Sequence, residues 1–140
     1  MQRCFFSGHN MYYDNRLKER LYFECEMMIK SGVKEFFIGN YGYFDMLAAN
    51  ILKKLKKKYS EIEVCLIIPY LTSAIKNNKD YYKDTFDKII IPDLPKNTPV
   101  RYKIIETNEY MADNSRYLIC YIEHDWGGAA KMWNMQKEKD

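Results

Sequence analysis

Along the chain, short continuous apolar runs alternate with longer stretches at helical spacing. Arg3-Cys4-Phe5-Phe6 is a brief apolar run closed by Ser7-Gly8, which predicts a buried strand and a tight turn. Over residues 14–31, Leu17, Leu21, Cys25, Met28 and Ile29 fall on one helical face, and Gly32 follows as a stop. Glu35-Phe36-Phe37-Ile38 predicts a second strand, interrupted by Gly39-Asn40-Tyr41-Gly42. A second helix starts near Tyr43, with Phe44, Leu47, Ala48, Ile51, Leu52 and Leu55 on its apolar side. Residues 63–68 are almost continuously apolar, as suits a strand buried on both faces, and Pro69-Tyr70 ends them. Residues 72–84 are polar and aromatic with only a weak helical signal. Residues 88–91 predict a short fourth strand, and Pro92, Pro95 and Pro99 mark a loop. Residues 101–113 predict a helix with Ile104, Ile105, Asn108 and Met111 inward. A fifth strand follows at 117–122, and Asp125-Trp126-Gly127-Gly128 turns into a last helix at 129–137.

Strands alternating with helices imply a parallel α/β sheet. Ligands in such sheets bind outside the carboxyl ends of the strands. That rule selects four loops: Ser7-Gly8-His9, Gly39-Asn40-Tyr41-Gly42, Pro69-Tyr70 and Asp125-Trp126-Gly127-Gly128. Two of them carry glycines and open a helix, where free N–H groups and the positive dipole end hold phosphate. Neither matches a dinucleotide or P-loop pattern, and glycines that merely permit a turn are the competing reading. Asp45, in the first turn of the second helix, suits that dipole or accepts from a ribose hydroxyl. His9 titrates near neutrality, donates to phosphate or stacks on a base, or else is satisfied by backbone. His124 and Asp125 lack a third ligand in sequence, so no metal site is expected. Tyr41, Tyr43, Tyr70 and Trp126 either wall a cleft or pack as rim. Lys53-Lys54-Leu55-Lys56-Lys57-Lys58 reads as the solvated end of a helix, with nucleic-acid binding as a minority alternative.

Composition narrows the classes. The 140 residues make one domain, 1–140, and 47% apolar with 29% charged residues is a globular balance. A net charge of +3 is too mild to argue for nucleic acid. No run approaches the ~18 apolar residues of a membrane span, and the N-terminus lacks a secretory signal. Cys4, Cys25, Cys65 and Cys120 form no CxxC pair and lie in apolar segments, which reads as reduced thiols in a cytoplasmic compartment. No cofactor is implied. No G-x-S-x-G or H-E-x-x-H motif occurs, and no loop Cys sits beside a His.

Taken in order, Ser7-Gly8-His9, Gly39-Asn40-Tyr41-Gly42-Tyr43-Phe44-Asp45, residues 108–115 and Trp126-Gly127-Gly128-Ala129 resemble the SLOG superfamily, named for DprA and the LOG enzymes. The nearest branch is that of small single-domain YpsA-like proteins of bacteria and their phages, and the resemblance spans about 3–137. It implies a Rossmann-like fold, a mostly parallel five-stranded sheet with helices on both faces. It also implies a nucleotide-derived ligand, such as the ADP-ribose-type molecules that some members sense in antiphage signalling. Carried over residue by residue, the ligand-facing positions are Ser7, Gly8, His9, Gly39, Asn40, Tyr41, Gly42, Asp45, Pro69, Tyr70, Asn108, Trp126, Gly127 and Gly128. LOG enzymes cleave a nucleoside monophosphate, and they carry acidic residues where this chain has Trp133 and Asn134; the family also commonly has Arg just before the Asn of the fourth motif, where this chain reads Glu106-Thr107-Asn108. Glycoside cleavage needs a placed carboxylate. The resemblance therefore implies binding, for sensing or sequestration, ahead of a phosphoribohydrolase-like glycosidase using Asp45 or Asp125. Single-stranded nucleic-acid binding is a third reading. Met132, Trp133 and Met135 of the last helix offer either a homo-oligomer face or packing on the sheet. The further short strand usual in such proteins is missing after Lys137.

Overall fold

A computed structural model describes residues 2–8, 15–40, 42–94 and 97–121. The elements follow in the order β1 (Arg3–Gly8), α1 (Asn15–Lys30), β2 (Glu35–Ile38), α2 (Tyr43–Lys58), β3 (Glu63–Ile67), α3 (Ser73–Asn77), α4 (Lys79–Thr85), β4 (Lys88–Ile90), α5 (Val100–Asp113) and β5 (Tyr117–Tyr121). The sheet runs β4-β3-β2-β1-β5, and every described pair of strands is parallel. This is the α/β, Rossmann-like arrangement that the alternating pattern predicts, with the sheet wholly rather than mostly parallel. No helix among the described residues is long and apolar enough to cross a membrane.

Each helix ends up where its apolar positions send it. Leu21, Cys25 and Ile29 of α1 and Ala48, Leu52 and Leu55 of α2 are buried against Cys4, Phe6, Phe36, Ile38, Val64 and Leu66 of the sheet. Phe6 and Phe36 stack there with ring centroids 6.1 Å apart. The alternate strand residues, Phe5, Phe37, Cys65 and Ile67, face the other way and meet Met111 and Ala112 of α5. Adjacent residues of each strand therefore serve opposite layers, as the pleat requires.

The ends of α1 and α2 are set differently. Gly32 has φ +109°, the left-handed region that favours glycine. Its N–H bonds to the carbonyl of Ile29, and that of Val33 to Met28, which closes α1 as a Schellman cap. α2 begins after Gly42 with no side-chain cap, and its Met46 N–H bonds back to Gly42.

Several details differ from the sequence reading. β1 continues through Ser7 and Gly8, because both pair with β5. β3 and β4 each stop one residue earlier, at Ile67 and Ile90. Residues 72–84 form two short helices, since the Thr72 hydroxyl caps α3 and Asn78 ends α3 and opens α4. On α5, Thr107, Met111 and Ala112 are buried while Ile105 is exposed, so the inward stripe is rotated from the one predicted. The last helix, at 129–137, lies outside the described residues.

Candidate functional site

A cleft of about 850 Å³ opens where β2 ends and α2 begins. Gly39, Asn40 and Gly42 of the β2–α2 connection form one side. Tyr43, Asp45, Met46 and Ala49 of α2 continue it. Asn78, Tyr81, Tyr82 and Phe86 of the α4 region close the opposite side. The backbone geometry explains the floor: Gly39 is buried directly after β2, while Asn40 is exposed at the turn.

The walls differ in chemistry. The α2 side carries Asp45 in its first turn, where a carboxylate is favoured by the helix dipole. The α4 side is aromatic. Tyr81 meets Tyr82 edge-on with centroids 5.1 Å apart, and Tyr82 stacks on Phe86 at 6.1 Å. Tyr82 is partly buried and stacks on the buried Phe86, and its edge contact meets Tyr81, which is 44% exposed at the cleft. Tyr43 is exposed on the facing wall. Neither Lys nor Arg lines the cleft among the described residues. Such a site accepts hydrogen bonds from hydroxyls and packs against a flat ring.

Of the positions singled out from sequence, Gly39, Asn40, Gly42 and Asp45 come together here. Ser7 and Gly8 sit at the end of β1, beside Cys120 and Tyr121 of β5. Strand order reverses between β1 and β5, which makes that boundary the expected ligand crevice of an open α/β sheet. Gly8 also has a packing reason: a Cβ there would lie 2.3 Å from Cγ of Phe44. Pro69 and Tyr70 follow β3 without lining the cleft, and the Lys103 ammonium lies 5.5 Å from the Tyr70 ring. Asn108 is half-buried on α5, which packs on the other face. Thr107, just before Asn108 where the resemblance expects Arg, is buried, and the neighbouring Glu106 holds a buried Oε2 with no hydrogen-bond partner among the described residues. His9, Tyr41, Asp125, Trp126, Gly127 and Gly128 lie outside the described residues, as do His124, Met132, Trp133, Asn134 and Met135.

The sequence reading missed the α4 wall. Its signal was present in Tyr82 and Phe86, four residues apart, with Tyr81 beside them. The lysine run proves partly engaged: Lys56 pairs with Asp87, and Lys58 donates to Glu26 at 2.9 Å. That hydrogen bond, with one from Tyr59, holds the Glu26 carboxyl below the usual carboxylate range. Among the described residues, Glu35, Glu63 and Cys65 place potential metal-ligating atoms within 4.8 Å of one another. They lie at the amino ends of β2 and β3, away from the cleft, and both carboxylates already pair with cations, Arg3 and Lys88.

A family model described as the YspA SLOG family, YpsA, matches residues 4–140. No curated protein matches the chain.

Proposed function

The chain belongs to the YpsA SLOG family, and on that premise we propose that it binds a nucleotide-derived ligand of the ADP-ribose type, for sensing or sequestration. The observation that carries the reading is the cleft at the carboxyl end of β2. There Gly39, Asn40, Gly42 and Asp45 meet the first turn of α2. The volume of about 850 Å³ is within the range of small-molecule sites. The β1–β5 boundary supplies a second stretch of the same sheet edge, toward which a ligand with two ends extends. Three fully buried thiols, Cys4, Cys25 and Cys65, suit a reducing, cytoplasmic setting.

One observation keeps a hydrolytic alternative: Asp45 is a carboxylate lining the cleft, as glycosidic cleavage of a nucleoside monophosphate requires. The experiment is a thermal-shift series with AMP, ADP-ribose, cyclic ADP-ribose isomers, NAD and short single-stranded DNA, followed by product analysis. A ligand bound only by the folded chain raises its melting temperature with concentration. A nucleotide that stabilises the protein and returns intact supports binding. Release of free base moves the assignment to hydrolysis, and stabilisation by DNA alone overturns the nucleotide reading.

A further inference from the structure

We propose that the amino edge of the sheet, on the α5 face, binds one zinc ion through the Cys65 thiolate and one carboxylate oxygen from each of Glu35 and Glu63. This edge lies at the opposite end of the strands from the candidate cleft, so the proposal is independent of the ligand bound there.

Strand register brings the three residues together. Glu35 of β2 stands directly opposite Glu63 of β3. Cys65 lies two residues beyond Glu63 and so shares its face, the one covered by α5. The Cys65 sulfur and one carboxylate oxygen from each glutamate all lie within 4.8 Å of one another. Ligand atoms on a tetrahedral zinc stand about 3.5 Å apart, given bonds of about 2.3 Å to sulfur and about 2.1 Å to oxygen. The two glutamate side chains are 32% and 40% exposed, which leaves them room to close that gap.

Two observations separate this cluster from an ordinary charged edge. Cys65 is fully buried, brings its sulfur to both carboxylates and makes no hydrogen bond among the described residues. Like charges directly opposite on neighbouring strands destabilise a sheet, and a shared divalent cation removes that cost. The ion pairs with Arg3 and Lys88 run through Oε2 of each glutamate. Neither cation depends on its pair. The Arg3 guanidinium also lies 4.6 Å from the Phe37 ring centroid and donates to the Asn114 carbonyl at 2.9 Å, and the Lys88 side chain is 57% exposed.

The donor set selects the ion. A thiolate beside carboxylates suits zinc, whereas magnesium and calcium take oxygen ligands. Binding forms the zinc–sulfur bond and releases the thiol proton to solvent. The thiolate and two carboxylates then carry three negative charges against two positive charges on the ion, and the one in excess remains beside Arg3 and Lys88. Three protein ligands leave the fourth tetrahedral position to water.

The test titrates the full chain, stripped of metal and kept reduced, with cadmium as the probe and zinc as its competitor. Cadmium reports a thiolate ligand by an ultraviolet charge-transfer band. The band should saturate at one equivalent and be reversed by zinc, but not by magnesium in large excess. Cys65→Ser should abolish it. Glu35→Gln and Glu63→Gln should each weaken binding about tenfold or more, since even residues behind the ligands carry effects of that size. Both glutamates are partly exposed, so these two variants decide the matter if circular dichroism shows Cys65→Ser unfolded. Cys120→Ser should bind as the wild type does. Absence of the band, a band retained in Cys65→Ser, affinity unchanged in both glutamine variants, or displacement by magnesium overturns the proposal and leaves the nucleotide reading standing.

Discussion

The sheet has two faces, and they are covered in different ways. Under α1 and α2, strands β1, β2, β3 and β5 meet a continuous apolar layer that includes Phe6, Phe36, Phe44, Leu52 and Leu66, each at most 2% exposed. Under α5 the apolar patch is smaller, with Phe5, Phe37, Cys65, Ile67, Met111 and Ala112 at its centre. On this second face, the amino ends of the strands carry charge instead. Arg3 of β1 pairs with Glu35 of β2, and Glu63 of β3 pairs with Lys88 of β4. The Arg3 guanidinium also lies 4.6 Å from the Phe37 ring centroid and donates to the Asn114 carbonyl at the end of α5. The difference shows a division of labour along one set of strands. One face holds the fold, while the other grades from charged at the amino edge to apolar toward the carboxyl edge, the edge at which the candidate cleft opens.

The largest effect should come from testing that asymmetry directly. Phe36→Ala removes a fully buried ring from the α1/α2 layer and should cost about 3–5 kcal/mol. Met111→Ala, on the α5 side, should fall at the low end of its class, near 2 kcal/mol, because the thinner layer collapses more easily around the gap. Guanidinium unfolding of both variants measures the contrast, and equal losses would break it.

Gly8→Ala comes next. Its new methyl would push into Phe44, and overpacking of this kind costs about 1–3 kcal/mol. Phe44→Leu in the same chain should recover part of the loss. A Gly8→Ala protein with wild-type stability and no nucleotide binding would instead place Gly8 at the ligand.

The smallest effect is alkaline and distinguishes thiols on the two faces. Burial pushes the Cys25 thiol up to about 12 and the Cys65 thiol up to about 11. Unfolded thiols ionise near 9. Above that pH the unfolded chain releases protons that the folded chain keeps, so the stability these thiols contribute is complete below about 9 and declines as pH rises. Each thiol gives a slope of at most about 1.4 kcal/mol per pH unit. Denaturant midpoints against pH should show the Cys65 share ending near pH 11 and the Cys25 share near 12. Cys25→Ala should flatten the curve over its share, and an unchanged slope would overturn the assignment.

Much of this architecture was legible because its signals are local. Gly32 could be read as a stop because only a residue tolerant of positive φ closes α1 as this cap does. The buried runs at 35–38 and 63–67 were legible because strands covered on both faces lose the polar alternation that would otherwise confuse them. Gly39, Asn40, Gly42 and Asp45 were found for a similar reason, since loops at strand ends follow from strand positions alone. Tyr81 and Asn78 were not found, because their place opposite α2 depends on how two short helices fold back over 73–85. Nor does the sequence show that Gly8 yields space to Phe44, a contact between residues 36 positions apart. The α5 stripe was misplaced because Thr107 is buried in spite of its hydroxyl, which it satisfies within the helix by donating to the Lys103 carbonyl at 2.7 Å.

The placement of β1 also has a consequence in time. It lies between β2 and β5, and Cys4 is in register with Tyr117. During synthesis, β1 through β4 emerge first and can pair among themselves. The other edge of β1 keeps its amides and carbonyls unmatched until residues 117–121 follow. At about 5–20 residues per second, the 27 positions from Ile90 to Tyr117 take roughly 1 to 5 s to add. For that interval the nascent chain presents an open parallel template along β1, and whatever occupies that edge first competes with the chain's own last strand.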